Sequence, residues 1–178
     1  ILLSAKPPMR SGLIDMLTLK EYQQKALDAL RAYCRFTVQL QNADTAYYQL
    51  TRTVYGTGIP YHPIAELPAL PYVCLRIPTG GGKTLLACHA IPLLKQELLH
   101  SDHPLVLWLV PSNAIREQTI AALKDRNHPY RKALESQVSS VTVLDIAESL
   151  FVQRSVLDSG LTIIVSTIQA FRVEDTEG

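Results

Sequence analysis

The sequence predicts an α/β fold, a parallel sheet with helices on both faces, preceded by a helical N-terminal segment. Three observations predict it. Short apolar runs alternate with helical stretches from Tyr72 onward. Apolar or small side chains recur at steps of three and four from Leu19 to Val54. A glycine-rich turn, Gly80-Gly81-Gly82, stands between a candidate strand and a candidate helix.

The helical segment comes first. Pro7-Pro8 and Ser11-Gly12 punctuate the start of the chain, and the stripe Leu19, Tyr22, Ala26, Ala29, Tyr33, Phe36, Leu40, Ala43, Tyr47, Leu50, Val54 follows. A single helix over that stretch would reach roughly 50 Å at 1.5 Å per residue and would dock on an absent domain or partner. Asn42-Ala43-Asp44 offers a break, with Asp44 capping a second helix, and the segment then reads as two core-facing helices. Glycines and prolines from Gly56 to Pro71 mark a linker, which divides the chain into residues 1–54, 55–71 and 72–178.

Past the linker, Tyr72–Ile77 reads as the first strand, and a helix runs from Lys83 to about Leu99 with a kink or short break at Pro92. Leu105–Val110 is a second, buried strand and Ser112 to about Lys124 a second helix. Val141–Leu144 and Leu161–Ser166 complete the strands, with helix from Ile146 to about Gln153 between them and a helical turn from Thr167 to Arg172. Apolar strands separated by helices are the pattern of a sheet covered on both faces.

Composition narrows the function classes. The chain has 178 residues, 47% hydrophobic and 19% charged, enough for one domain with a sizeable core. A net charge of +1 supplies no global field for nucleic acid, so any such contact must come from local geometry. The longest apolar run, Leu105–Val110, is far short of a membrane span, and Ile1-Leu2-Leu3 lacks the basic flank of a secretory signal. Cys34, Cys74 and Cys88 are odd in number, widely spaced and without metal-ligand spacing, which fits a reduced, cytoplasmic setting. The opening Ile1 and the polar close Glu174–Gly178 read as the ends of a piece of a longer protein.

The chemistry concentrates at Pro78-Thr79-Gly80-Gly81-Gly82-Lys83-Thr84. Three glycines let successive backbone N–H groups turn inward as a cradle for phosphate oxygens, and the helix that follows points its positive end at the same spot. Lys83 can reach the β- and γ-phosphates of ATP, and the Thr84 hydroxyl can ligate Mg²⁺. The strict pattern GxxxxGK[ST] would need glycine at position 77, which is Ile77, a departure that argues against GTPases and small-molecule kinases.

Ile77–Thr84 resembles motif I of superfamily-two helicases, and Leu105–Gln118 resembles their motif Ia. Thr162–Gln169 is similar to the later strand with its Ser/Thr phosphate contact, and Leu19-Lys20-Glu21-Tyr22-Gln23 to a segment whose glutamine reads adenine. The nearest resemblance is to the helicase (Res) subunit of type III restriction enzymes and related DEAD/DEAH-box proteins, over about residues 19–30 and 72–172. It implies the first motor domain of a P-loop NTPase, RecA-like and incomplete, within a DNA-dependent ATPase, helicase or translocase. It further implies ATP and Mg²⁺ as cofactors, DNA as partner, a second motor domain, and possible association with a modification or specificity subunit and a nuclease elsewhere. No membrane partner is implied.

Carried onto this chain, the resemblance assigns nucleotide binding to Gln23, Thr79, Gly80, Gly81, Gly82, Lys83 and Thr84, with Lys83 as the catalytic cation. Gln23 can offer adenine both a donor and an acceptor; it also reads as an exposed helix glutamine, and Gln24 is the choice if the register is off by one. Nucleic-acid contact falls to Pro111, Ser112, Asn113 and Thr167, of which Ser112 and Thr167 also read as plain helix caps. Arg116 could touch a phosphate but reads more readily as a solvated helix charge, and Trp108 reads as core.

The family's acidic pair, an Asp for the Mg²⁺ shell and a Glu for the attacking water, has no match: Val173-Glu174-Asp175 lacks a preceding apolar strand. Val141–Asp145 has the apolar-run-then-Asp shape, but Ile146 stands where a helicase has Glu. The chain by itself is therefore expected to hydrolyse ATP hardly at all. A P-loop kinase or nucleotide switch is the alternative enzyme-class reading and predicts no response to DNA. A docking module built on residues 19–54 predicts no nucleotide-dependent stabilisation.

Overall fold

The computed structural model describes residues 19–171. Helix α1, Glu21–Leu40, begins where Gln23 closes a reciprocal cap with Lys20: Lys20 N donates to Gln23 Oε1 (2.8 Å) and Gln23 N to Lys20 O (2.9 Å). It stops at Gln41, whose left-handed φ of 51° turns the chain out of the helix. Helix α2, Ala43–Tyr55, starts afresh with Asn42 Oδ1 accepting from Thr45 N at 2.8 Å and ends on Gly56 at φ 77°. The long stripe is thus two helices, and the cap is Asn42 rather than Asp44, which lies inside the first turn.

The stretch between α2 and the glycine turn is fastened rather than free. Tyr61 is buried, its ring 5.5 Å from that of Tyr47, which meets Tyr33 edge-on at 6.2 Å. Its hydroxyl donates to Leu70 O (3.2 Å) and accepts from Tyr72 N (2.7 Å).

Tyr72–Ile77 is not a strand, contrary to the sequence reading. A strand exists through ladder hydrogen bonds to a neighbour, and among the described residues this segment joins no ladder. Val73 and Ile77 lie instead against the cluster of Leu27, Leu30 and Cys34 from α1 with Leu86, Ala90 and Leu93 from the next helix.

That helix, α3, spans Lys83–Leu94 and carries Pro92 without a break. Residues Lys95–Leu99 continue it as a π-helical turn before His100 ends it at φ 47°. Strand β1, Leu105–Val110, leads to α4, Asn113–Lys124, and α5, Pro129–Glu135. Strand β2, Val141–Asp145, is followed by two short helices, α6 (Ile146–Ser149) and α7 (Arg154–Leu157), where the sequence suggested one. Strand β3, Leu161–Thr167, runs into a 3₁₀ turn, Ile168–Phe171.

The three strands form one parallel sheet in the order β1-β3-β2. The central β3 is buried along its length, and Leu161, Ile163 and Val165 meet Val141 and Val143 of β2, Leu85, Cys88 and Ile91 of α3, Leu123 of α4 and Leu134 of α5. Helix α5 is absent from the sequence reading. It is pinned by Arg131, 7% exposed, which donates to Leu123 O (3.1 Å) and Val141 O (2.7 Å) and pairs with Glu135 (2.7 Å).

Strand β1 is buried on one face only. Val106 and Trp108 pack on the core, as Trp108 was expected to do, whereas Leu105, Leu107 and Leu109 are 59%, 50% and 44% exposed. Beside those leucines, the Thr162 and Ser166 hydroxyls of β3 are buried without a hydrogen-bond partner. No helix among the described residues is long and apolar enough to cross a membrane.

Candidate functional site

The glycine turn is built on a carbonyl of its own. Pro78 O accepts from Gly81 N at 3.0 Å and from the Lys83 ammonium at 3.0 Å, so the turn closes on itself with the lysine folded back over it. Gly80 and Gly82 hold φ of 74° and 75°, a left-handed conformation that side chains disfavour. Open space surrounds Gly80, whereas a Cβ at Gly81 would lie 2.6 Å from Ile77 Cγ2 and one at Gly82 2.6 Å from Gln23 Nε2.

Gly82 also starts α3. The first intrahelical bond is Leu86 N to Gly82 O at 2.9 Å, which leaves the N–H groups of Lys83, Thr84 and Leu85 ahead of the ladder. Left-handed glycines, helix-start amides and a lysine tied only to a solvent-exposed carbonyl fit a polyphosphate. The fit to Mg²⁺ rests on Thr84 alone. Among the described residues no cluster of three or more His, Cys, Asp or Glu could hold a metal by itself.

The start of α1 reaches this turn. Gln23 is 4% exposed, and its Nε2 donates to Gly81 O at 2.8 Å while its Oε1 serves Lys20 N. It is therefore not the exposed helix glutamine of the plainer reading. Gln24 points elsewhere, to Asp28 at 3.0 Å. Tyr22, read in the sequence only as part of the apolar stripe and of the Leu19–Gln23 match, donates its hydroxyl to the same Gly81 O at 2.9 Å. Nothing local signals that bond, because it spans 59 positions.

A second group gathers at the carboxyl ends of β1 and β3. Val110 is in register with Thr167, so Pro111, Ser112 and Asn113 leave the sheet beside Thr167. Gln169 Nε2 donates to Pro111 O at 3.0 Å and ties the two chain segments together. Ser112 caps α4, its Oγ accepting from Ile115 N at 3.4 Å, a long bond that leaves the hydroxyl exposed together with Asn113. Thr167 is 7% exposed. In an open α/β sheet this carboxyl edge is where ligands bind.

The Asp145 carboxylate is engaged locally. One oxygen caps α6 through Ala147 N at 3.0 Å, and the other faces Arg116 Nε at 3.3 Å, a charge contact whose angle falls short of a hydrogen bond. Arg116 is consequently paired rather than a free solvated charge. Glu148 completes the cap by accepting from Asp145 N at 2.7 Å, which with Lys124 holds its carboxyl below the usual carboxylate range.

A parallel α/β sheet beside a glycine turn that opens a helix defines an α/β domain with an anion-competent helix start. The family model for the type III restriction enzyme, res subunit, matches residues 16–177, and the chain belongs to that family, a helicase-type domain family. No curated protein and no solved structure matches the chain.

Proposed function

We propose that this chain is the ATP-binding part of a DNA-dependent motor, a RecA-like first motor domain whose parent couples ATP turnover to movement on DNA in a restriction-type system. The observation that carries the reading is the glycine turn: Gly80 and Gly82 at positive φ, a helix start behind them, and Lys83 parked on Pro78 O. Membership of the res subunit family supports it.

In this reading Thr79 and Gly80–Gly82 cradle the phosphates and Lys83 leaves Pro78 O for the β- and γ-oxygens, exchanging a neutral carbonyl for an anion. Thr84 would hold Mg²⁺, which neutralises phosphate charge when bound. Gln23 reads adenine with the donor and acceptor capacity left over from Gly81 O and Lys20 N. Pro111, Ser112, Asn113 and Thr167 present the nucleic-acid phosphate contact at the sheet's carboxyl edge. Residues 1–54 serve as the adenine-side helical segment, 55–71 as the connection and 72–178 as the partial motor domain. The open face of β1, and Tyr72–Ile77, which joins no ladder among the described residues, suit a domain completed by further elements, where the acidic pair and a second motor domain would be added. The parent protein works in the cytoplasm, with a modification subunit as a candidate partner.

The test is a joint titration of the chain with Mg-ATP and single-stranded DNA, following thermal stability and mutual affinity. Mg-ATP raises the unfolding midpoint, Lys83→Ala abolishes that rise, and DNA and nucleotide alter each other's affinity reciprocally. A nucleotide effect indifferent to DNA would favour a kinase or switch, and none at all would end the nucleotide-site reading.

A further inference from the structure

Among the described residues, Gly81 O accepts two side-chain donors from α1: Tyr22 Oη at 2.9 Å and Gln23 Nε2 at 2.8 Å. Two donors use both lone pairs of a carbonyl oxygen. The peptides of the described chain are trans, and in a trans peptide the N–H points opposite to the C=O. With Gly81 O turned toward α1, the Gly82 N–H is aimed away from α1.

We propose that Tyr22 is a positioning residue for the phosphate-binding turn, holding the Gly81–Gly82 peptide so that the Gly82 N–H faces a bound anion; the proposal rests on the nucleotide-site reading. A peptide between two glycines reverses at little steric cost, since either glycine tolerates both signs of φ. Reversed, this one would present a carbonyl oxygen to the phosphate instead of an N–H, exchanging attraction for repulsion. Gln23 is buried and bonded through both its amide oxygen and its amide nitrogen, which fixes its place beside the turn and leaves one N–H and one lone pair for adenine. Tyr22 is 39% exposed and contributes one hydroxyl. Its removal leaves α1 anchored through Leu27, Leu30 and Cys34.

The substitution Tyr22→Phe deletes that hydroxyl alone. Binding of inorganic pyrophosphate and of Mg-ATP to the chain is measured for wild type, Tyr22→Phe and Lys83→Ala, with the amide resonance of Gly82 followed in the unliganded proteins. Tyr22→Phe is expected to stay folded with a midpoint lowered only slightly, as for the loss of one hydrogen bond, to shift the Gly82 resonance and to weaken both ligands about three- to tenfold. Wild-type affinity in Tyr22→Phe, with Lys83→Ala impaired, overturns the role of Tyr22 and leaves the nucleotide site standing. Weakened binding with an unmoved Gly82 resonance also overturns it, because the effect would then bypass that peptide. Failure of the wild type to bind either ligand overturns the proposal and the site reading together.

Discussion

The Gln23 side chain donates to Gly81 O at 2.8 Å and lies 2.6 Å from where a Cβ on Gly82 would stand, so the start of α1 and the glycine turn are fitted to each other. The fit separates two glycines that look alike in sequence. Gly80→Ala meets only the cost of a left-handed backbone, about 1 kcal/mol. Gly82→Ala meets that cost and must also push aside a glutamine held at both ends, for a loss of about 2–3 kcal/mol. Urea unfolding of the two variants measures the difference, and equal losses would contradict the packing.

Arg131 is expected to matter more to stability than any other arginine whose environment is described, because it is buried and serves two backbone carbonyls. Arg131→Met leaves Leu123 O and Val141 O without that partner and costs about 2–4 kcal/mol. Arg154→Met, at a side chain 92% exposed, changes stability by less than about 0.5 kcal/mol. Equilibrium denaturation decides between them.

The two faces of β1 give opposite expectations. Trp108→Ala empties a position packed on the core and costs about 2–3 kcal/mol, below the range for a fully buried tryptophan because Trp108 is only partly buried. Leu107→Thr, at a side chain 50% exposed, costs less than about 1 kcal/mol. Light scattering on concentrated Leu107→Thr should fall below wild type, since an exposed apolar strand face invites association.

Acid lowers stability in two windows with separate causes. Burial holds the His89 imidazole below its ordinary 6.5, so the unfolded chain takes up that proton first and stability falls as pH drops from 6.5 toward the folded value. The Arg35 hydrogen bond holds the Glu97 carboxyl below its ordinary 4.5; its contribution is present above 4.5 and disappears as pH falls through the depressed folded value. Urea midpoints across pH should lose the first slope in His89→Gln and part of the second in Arg35→Ala. Salt should weaken only the second, an exposed ion pair.

Much of the local structure was legible. Leu105–Val110 is the strand that its apolar run predicts, and Ser112 caps the helix that follows. The break in the N-terminal stripe falls on the predicted residues, but the cap is Asn42, two positions before Asp44, because Asn42 Oδ1 accepts from Thr45 N and the helix has already begun at Ala43. Helix α5 escaped detection since it is only seven residues long: Tyr130, Ala133 and Leu134 make a single apolar turn, and Arg131 adds bonds to carbonyls of α4 and β2 that no local pattern signals. At the candidate site, the glycines and Lys83 could be read from spacing, and the register of Val110 with Thr167 then brings two separately predicted segments side by side.

The sequence by itself determined what depends on near neighbours: the glycine turn, the starts of α3 and α4 and the apolar β1 and β3, all fixed by backbone sterics and side chains within a few positions. Tertiary structure alone decided that Tyr72–Ile77 lies against α1 and α3 and joins no ladder among the described residues, that β1 shows three leucines to solvent, and that Tyr22 grips Gly81. A ladder, a covering layer and a hydrogen bond across 59 positions each need a partner whose place is set only when the chain has folded.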